Sequence, residues 1–167
     1  VEPGNLDTEF LRRMRHLRMN GCVAKVHLAL DNLPDAFRNA QGRMMFAPST
    51  NYVERAFDCA KYGRVADNPA LEIVVPTLTD PSLAPSGKHV VSILSQYAPY
   101  KLRTTTPDEA RSQVLERTLN VLEQIAPGVK GQVTASEALT PQDMEKQFNL
   151  SGGQWHQGEV TLDQVFF

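Results

Sequence analysis

The most unusual local chemistry of the chain lies near its end, in the stretch Gly152-Gly153-Gln154-Trp155-His156. Two adjacent glycines there precede the only tryptophan and one of the four histidines. Glycine is used where the backbone takes a positive φ or approaches another group closely. The stretch is therefore either a glycine turn with Trp155 packed on the core, or a backbone segment lying against a flat cofactor that His156 faces. Spacing alone favours the turn, since turns are the commonest use of glycine.

The other residues that could do chemistry are scattered along the chain. His16, His27, His89 and His156 share no metal-ligand spacing, so neither a metal site nor a catalytic residue is predicted. Cys22 and Cys59 lack C-x-x-C spacing, and we expect buried, reduced thiols, with a disulfide between them as the alternative. The motifs of dinucleotide-binding folds, P-loops, nucleophile elbows and zinc proteases are absent from the sequence.

Length and composition predict one globular domain over residues 1–167, with 41% hydrophobic and 22% charged residues. The net charge of −2 gives no electrostatic footprint for nucleic acid. No apolar run approaches the roughly 20 residues that span a bilayer. The first residues do not resemble a signal peptide, so an intracellular, reducing location is expected.

The hydrophobic pattern and capping signals predict an α+β fold with a mostly antiparallel or mixed sheet and helices packed on one side. Strands are predicted at 22–30, 71–75, 89–97 and 132–139, and helices at 8–19, 51–62, 107–126 and 141–148. Thr106 with Glu109 has the form of a capping box before the longest helix. The strands at 71–75 and 89–97 are expected to form a hairpin, residues 34–50 are expected to be irregular, and Thr161 could cap a last helical turn.

Three colinear blocks carry a family resemblance. The block at 68–102, "NPALEIVVPTLTDPSLAPSGKHVVSILSQYAPYKL", resembles the phytoene-desaturase-like FAD-dependent oxidoreductases. It is most similar to their branch of phytoene dehydrogenase-related and pyridine nucleotide-disulfide oxidoreductase domain proteins. The blocks at 139–167, "LTPQDMEKQFNLSGGQWHQGEVTLDQVFF", and 22–34, "CVAKVHLALDNLP", are similar to further blocks of that branch. One departure is Gln157, which stands between His156 and Gly158 where the family usually has His followed by Gly.

The resemblance implies a substrate-binding, flavin-capping domain of a dehydrogenase or desaturase acting on a largely apolar substrate. Gly152 and Gly153 would then allow close approach to the cofactor, and Trp155 or His156 would border the substrate site. The family's FAD-binding segments, before and after the matched blocks, are absent here, so the resemblance implies an excised piece that is inactive by itself. FAD would be bound by the full-length parent and not by this segment.

The expected partner is the missing FAD-binding domain of the same parent chain, and its absence would leave an apolar face that favours self-association. The alternative is a non-catalytic binding or interaction module with the same fold. We expect an excised domain, since a natural module would not be expected to finish on the uncapped segment "DQVFF" that ends in Phe166-Phe167.

Overall fold

The computed structural model describes residues 3–40 and 42–165, so Phe166-Phe167 lies outside the described residues. Its strands form one antiparallel sheet in the order β2-β3-β4-β1-β5. The strands are β1 (Val23–Leu30), β2 (Arg43–Phe46), β3 (Ala70–Val74), β4 (His89–Gln96) and β5 (Val133–Leu139). The predicted α+β class with an antiparallel sheet is confirmed, as is the antiparallel pairing of β3 with β4.

Six α-helices accompany the sheet within the described residues. They are α1 (Thr8–His16), α2 (Asp35–Arg38), α3 (Thr50–Lys61), α4 (Pro107–Ile125), α5 (Pro141–Phe148) and α6 (Leu162–Val165). The start signal of Thr106 with Glu109 is confirmed as a reciprocal capping box at α4, and Thr140 with Asp143 forms a second one at α5. Each box satisfies helix N–H groups that have no partner inside the helix.

Residues 34–50 are not irregular, as the sequence suggested, because they contain α2 and the edge strand β2. These elements have four residues each, too few for a periodic pattern to show, and β2 is defined by its pairing with β3. Helix α1 ends at His16 and not at residue 19, since Leu17 already takes an extended conformation. Helix α3 begins at Thr50, one residue earlier than predicted, because the cap is Ser49 and not Asn51: the Ser49 side chain accepts from the N–H of Tyr52.

The core lies between one face of the sheet and α4. Alternate residues of β1 point into it, and all four are buried: Ala24, Val26, Leu28 and Leu30. From the helix side, Val114, Val121 and Leu122 join the same cluster. This alternation assigns the remaining residues of β1 to the opposite face of the sheet.

One polar pair is sealed inside this core. The Thr118 hydroxyl of α4 donates to the Ser95 hydroxyl of β4 at 2.8 Å, and both side chains are buried. A buried hydroxyl without a partner loses its bond to water and gains nothing in exchange. The hydrogen bond therefore stabilises the packing of α4 on the sheet, and the loss of one partner would leave the other hydroxyl buried without a bond.

We expect Thr118→Val to lower the free energy of unfolding by about 1–3 kcal/mol, because it leaves the Ser95 hydroxyl unpaired. Urea unfolding followed by circular dichroism measures this loss. The double variant Ser95→Ala/Thr118→Val removes both partners and should cost less than the sum of the two single changes. Additive losses would show that the two hydroxyls do not stabilise each other.

Candidate functional site

The sheet has a second face, here called the open face, formed by the alternate side chains of its strands that do not enter the core. The register places Glu72, Leu94, Lys25 and Leu139 side by side across four strands. The next row holds Val74, Ser92, His27 and Glu137. The open face therefore mixes apolar side chains with titratable groups, and both Lys25 and His27 come from the interior strand β1, which lies between β4 and β5.

Lys25 is the central cation of the open face. It is half-buried, and among the described residues no ion pair or hydrogen bond is made by its ammonium group. The neighbouring carboxylate of Glu72 instead pairs with Arg43 at 3.1 Å and is only 12% exposed. Burial lowers the pKa of Lys25, Glu72 opposes that shift, and Arg43 adds to it. An unpaired, partly desolvated ammonium group can hold an anionic or hydrogen-bond-accepting group of a ligand.

His27 lies two residues from Lys25 on the same face. Burial of its ring and the nearby Lys25 charge lower the pKa of His27 below its ordinary value of 6.5, while Glu137 opposes the shift. The imidazole is therefore neutral at pH 7, with one nitrogen that donates and one that accepts. Its side chain makes no hydrogen bond to any of the residues that the structure describes.

A junction of three glycines lies at the start of β1. The N–H of Gly21 donates to the carbonyl oxygen of Gly152 at 2.8 Å. A Cβ atom on Gly152 would overlap the carbonyl of Met19, and one on Gly153 would overlap the carbonyl of Pro141. Both glycines have positive φ, at 61° and 62°. The close approach that these glycines permit is thus to the chain's own backbone, and their proximity to a cofactor stays a prediction.

Glu145 holds the junction from the helix α5. Its carboxylate accepts from the N–H of Gly152 at 2.7 Å and from the hydroxyl of Tyr100, and these two bonds lower the pKa of Glu145. A cleft of about 530 Å³ borders the junction. Its lining includes Asn20, Cys22, Phe57, Tyr100, Lys101 and Gln154.

Trp155 and His156 follow the junction and form a pair of their own. Their ring centroids are 4.8 Å apart, and Trp155 is 40% exposed. The turn interpretation is thus confirmed for the glycines and wrong for Trp155, which does not pack in the core. Within the described residues, no hydrogen bond or ring contact joins this pair to Lys25 or His27.

The additional residue Gln157 lies in this turn with a φ of 58°. In an extended segment, one extra residue would turn the following side chains to the other face. The chain is not extended here, because residues 154–158 form a turn in which the N–H of Gln157 donates to the carbonyl of Gln154. The departure from the family pattern is therefore absorbed locally by one left-handed residue.

The two cysteines are free thiols, with Cys59 buried and Cys22 half-buried. Burial and the nearby Glu159 raise the pKa of Cys22, which keeps it protonated and a poor nucleophile. Across residues 3–40 and 42–165, no three His, Cys, Asp or Glu side chains converge as metal ligands. The helices of the same residues include none that is long and apolar enough to cross a bilayer.

Lys25 and His27 are the candidate residues that the sequence did not single out. They are two residues apart in a predicted strand, so their side chains lie on the same face of it. This spacing is the sequence signal from which the pair could have been predicted. The sequence could not show that this strand lies inside the sheet, or that the ammonium group of Lys25 finds no partner among the described residues. Gly152, Gly153, Trp155 and His156 lie near the start of β1, and their role next to a cofactor or substrate stays a prediction.

Comparison with known proteins relates the chain to oxidoreductases. It is 34% identical over 172 aligned residues to pyridine nucleotide-disulfide oxidoreductase domain-containing protein 2 of Rattus norvegicus, covering 95% of this chain and 30% of that protein. The match to the Mus musculus protein of the same name has the same identity and coverage. No family model matches the sequence.

A solved structure of an oxidoreductase from Methanosarcina mazei aligns with a TM-score of 0.48 and 20% identity. That alignment covers 84% of this chain and 26% of the archaeal one. The chain spans about a third of the length of the curated relatives, 30% in both. It is related to an oxidoreductase family and corresponds to one part of those longer proteins.

We expect Gly152→Ala to destabilise the fold by about 2–4 kcal/mol, because an alanine would strain at positive φ and overlap the Met19 carbonyl. Chemical unfolding measures the loss. The matched control is Gly131→Ala, whose added Cβ meets nothing within 4 Å and whose φ is not positive. An equal effect of the two changes would contradict the structural role of the junction.

We expect the pKa of His27 to lie below 6.5 and to rise in Lys25→Met, since protonation of His27 then no longer adds a charge beside an ammonium group. Titration of the histidine ring protons by NMR measures both values, with His27→Gln identifying the resonance. Lys130→Met removes a lysine from the turn after α4 and should leave the value unchanged. An unchanged pKa in Lys25→Met would contradict the proximity of the two groups.

Proposed function

We propose that this chain is the substrate-binding domain of an FAD-dependent oxidoreductase of the phytoene-desaturase-like type. The observation that carries the proposal is the open face, where Lys25 is unpaired and His27 is neutral beside apolar Leu94 and Leu139. The core face of the sheet is closed by α4, which leaves the open face to meet a ligand. The similarity to oxidoreductases over 95% of the chain supports the assignment.

The residues fit a surface that covers a flat ring, and they do not fit a complete FAD site. The pattern of the open face alternates small or apolar side chains, Ala29, Val90 and Ala135, with the polar pair near its centre. A glycine-rich loop that cradles a pyrophosphate is missing from the sequence. The parent's remaining segments would therefore hold the cofactor, and this domain would be inactive by itself.

A flavin bound in the parent would supply the acceptor for a hydride from the substrate. This chain's own residues would bind and orient the substrate and exclude water from it. Leu94 and Leu139 are themselves buried and surround the Lys25 side chain, whose ammonium group would hold a polar group of the substrate by a charge-assisted hydrogen bond. His27 could hold or accept a proton near neutral pH, because its lowered pKa keeps it uncharged.

The first test is the absorption spectrum of the full-length parent purified from cells. We expect a stoichiometric flavin spectrum from the parent and none from the 167-residue chain, since the cofactor-binding segments lie outside the latter. A colourless parent without a dinucleotide-binding sequence would contradict the proposal. The domain would then be a non-catalytic binding module.

The second test changes the open face in the flavin-loaded parent, monitoring flavin reduction by a substrate found in a panel of apolar compounds. We expect Lys25→Met to lower kcat/KM by roughly 10- to 100-fold, because one charge-assisted hydrogen bond is worth about 1.5–3 kcal/mol. Lys25→Arg should retain more activity than Lys25→Met, since it keeps the charge.

The matched control is Lys88→Met, whose lysine pairs with Asp31 at the surface. It should leave kcat/KM and the flavin content unchanged. Equal activity of Lys25→Met and Lys88→Met, with flavin bound in both, would show that Lys25 does not bind the substrate. The assignment of the domain would then rest on the spectrum alone.

A further inference from the structure

Helix α1 exposes an apolar face that the described residues do not cover. Its apolar residues Phe10 and Met14 lie one turn apart, and Leu17 follows directly after the end of the helix, whereas Arg12, Arg13 and Arg15 lie on the polar side. None of its nine residues is buried. A strongly amphipathic helix without a buried residue has an apolar stripe that is not yet paired with a core.

The segment at 159–165 adds to this apolar surface. Arg18 fastens it next to the end of α1, because its guanidinium donates to both carboxylate oxygens of Asp163 at 2.7 Å. This bidentate pair lowers the pKa of Asp163 to about 2 and keeps the carboxylate charged. Between these polar contacts, Val160 and Leu162 point to solvent and are the two most exposed large apolar residues among those described.

A cavity of about 590 Å³ joins the two segments. It is lined by Met14 and Leu17 from the side of α1 and by Asp163 and Gln164 from α6. Arg12 and Arg13 also line it, and among the described residues both pair with the same carboxylate, that of Glu9, and with no other. The surface made of α1, this cavity and residues 159–165, called the α1 surface below, is thus apolar at its centre and positively charged at its rim.

We infer that the α1 surface is the interface with the remainder of the parent polypeptide. The covering segment would place apolar side chains over Met14 and in the cavity, and carboxylates opposite Arg12 and Arg13. This inference rests on the proposed function, in which the chain is one domain of a longer enzyme. Its support is that the curated relatives have about 70% of their length outside the matched part.

The features of the α1 surface favour a polypeptide cover over a lipid surface or a second copy. Its apolar residues come from two segments held at a cavity, whereas an interfacial helix presents one continuous flat stripe. Two copies would bring the arginine rims of both chains together, which opposes pairing. Within one chain, tethering also removes most of the entropic cost of association.

The test uses the full-length parent without substitutions. Hydroxyl-radical labelling, normalised for intrinsic side-chain reactivity, reports the exposure of Phe10, Met14 and Leu162. We expect all three to be labelled several-fold less than Leu83, which is 54% exposed here against 47% and 46% for Phe10 and Met14. Leu83 lies in a 3₁₀ turn after β3, outside the α1 surface, and provides the matched reference.

The double variant Phe10→Asp/Met14→Asp provides an independent reading in the same parent. We expect its Tm to fall by at least about 5 °C relative to Leu83→Asp, since it would bury two carboxylates in an apolar interface. This shift does not require bound flavin, so a colourless parent with the shift would reject the proposed function and keep the interface. A flavin-containing parent without the shift would keep the proposed function and reject the interface.

Three further results would also overturn the inference. The first is labelling of Phe10 and Met14 equal to that of Leu83 in the parent. The second is binding of the parent to vesicles of phosphatidylserine and phosphatidylcholine that the double variant abolishes, which would assign the surface to a membrane. The third is a dimeric parent that the double variant converts to a folded monomer, which would assign it to a second copy.

Discussion

The position of β1 inside the sheet, between β4 and β5, is the constraint on which the rest of this structure depends. Because it is paired with β4 on one side and β5 on the other, its alternating side chains must divide strictly between the two faces of the sheet. A slip of one residue would place Lys25 and His27 in the core and expose Val26 and Leu28. The same pairing that buries the core thus fixes the polar pair on the open face.

The glycine junction extends that constraint to the chemistry near the end of the chain. Gly21 lies just before β1, and its N–H donates to the carbonyl oxygen of Gly152. This bond fixes the position of the residues that follow Gly152. Without side chains at Gly152 and Gly153, the two backbones can meet at this distance. Trp155 and His156 consequently follow a segment that is bonded to the backbone just before β1. The structural requirement at this junction is thus met by residues without a side chain.

The two faces of the sheet and the helix α1 differ in what covers them. One face of the sheet is closed by α4, the open face carries an ammonium group that no described residue pairs with, and α1 presents an apolar stripe that the described residues leave uncovered. An independent module would be expected to cover such a stripe, because exposed apolar surface lowers solubility. The relationship to oxidoreductases over a third of their length is in keeping with this architecture. The chemistry proposed for the parent is therefore argued from the open face and the α1 surface, since the described residues do not form a complete cofactor site.

The sequence by itself determined the elements with strong local signals: the capping boxes at Thr106 and Thr140, the alternation of β1 and the turn at Gly152. These depend on neighbours within a few residues, so they can be read without the fold. Only the tertiary structure decided that β2 exists, that Trp155 is exposed and that Lys25 lacks a partner. Strand order, burial and charge pairing join residues far apart in the chain, and no local pattern records which of them will meet.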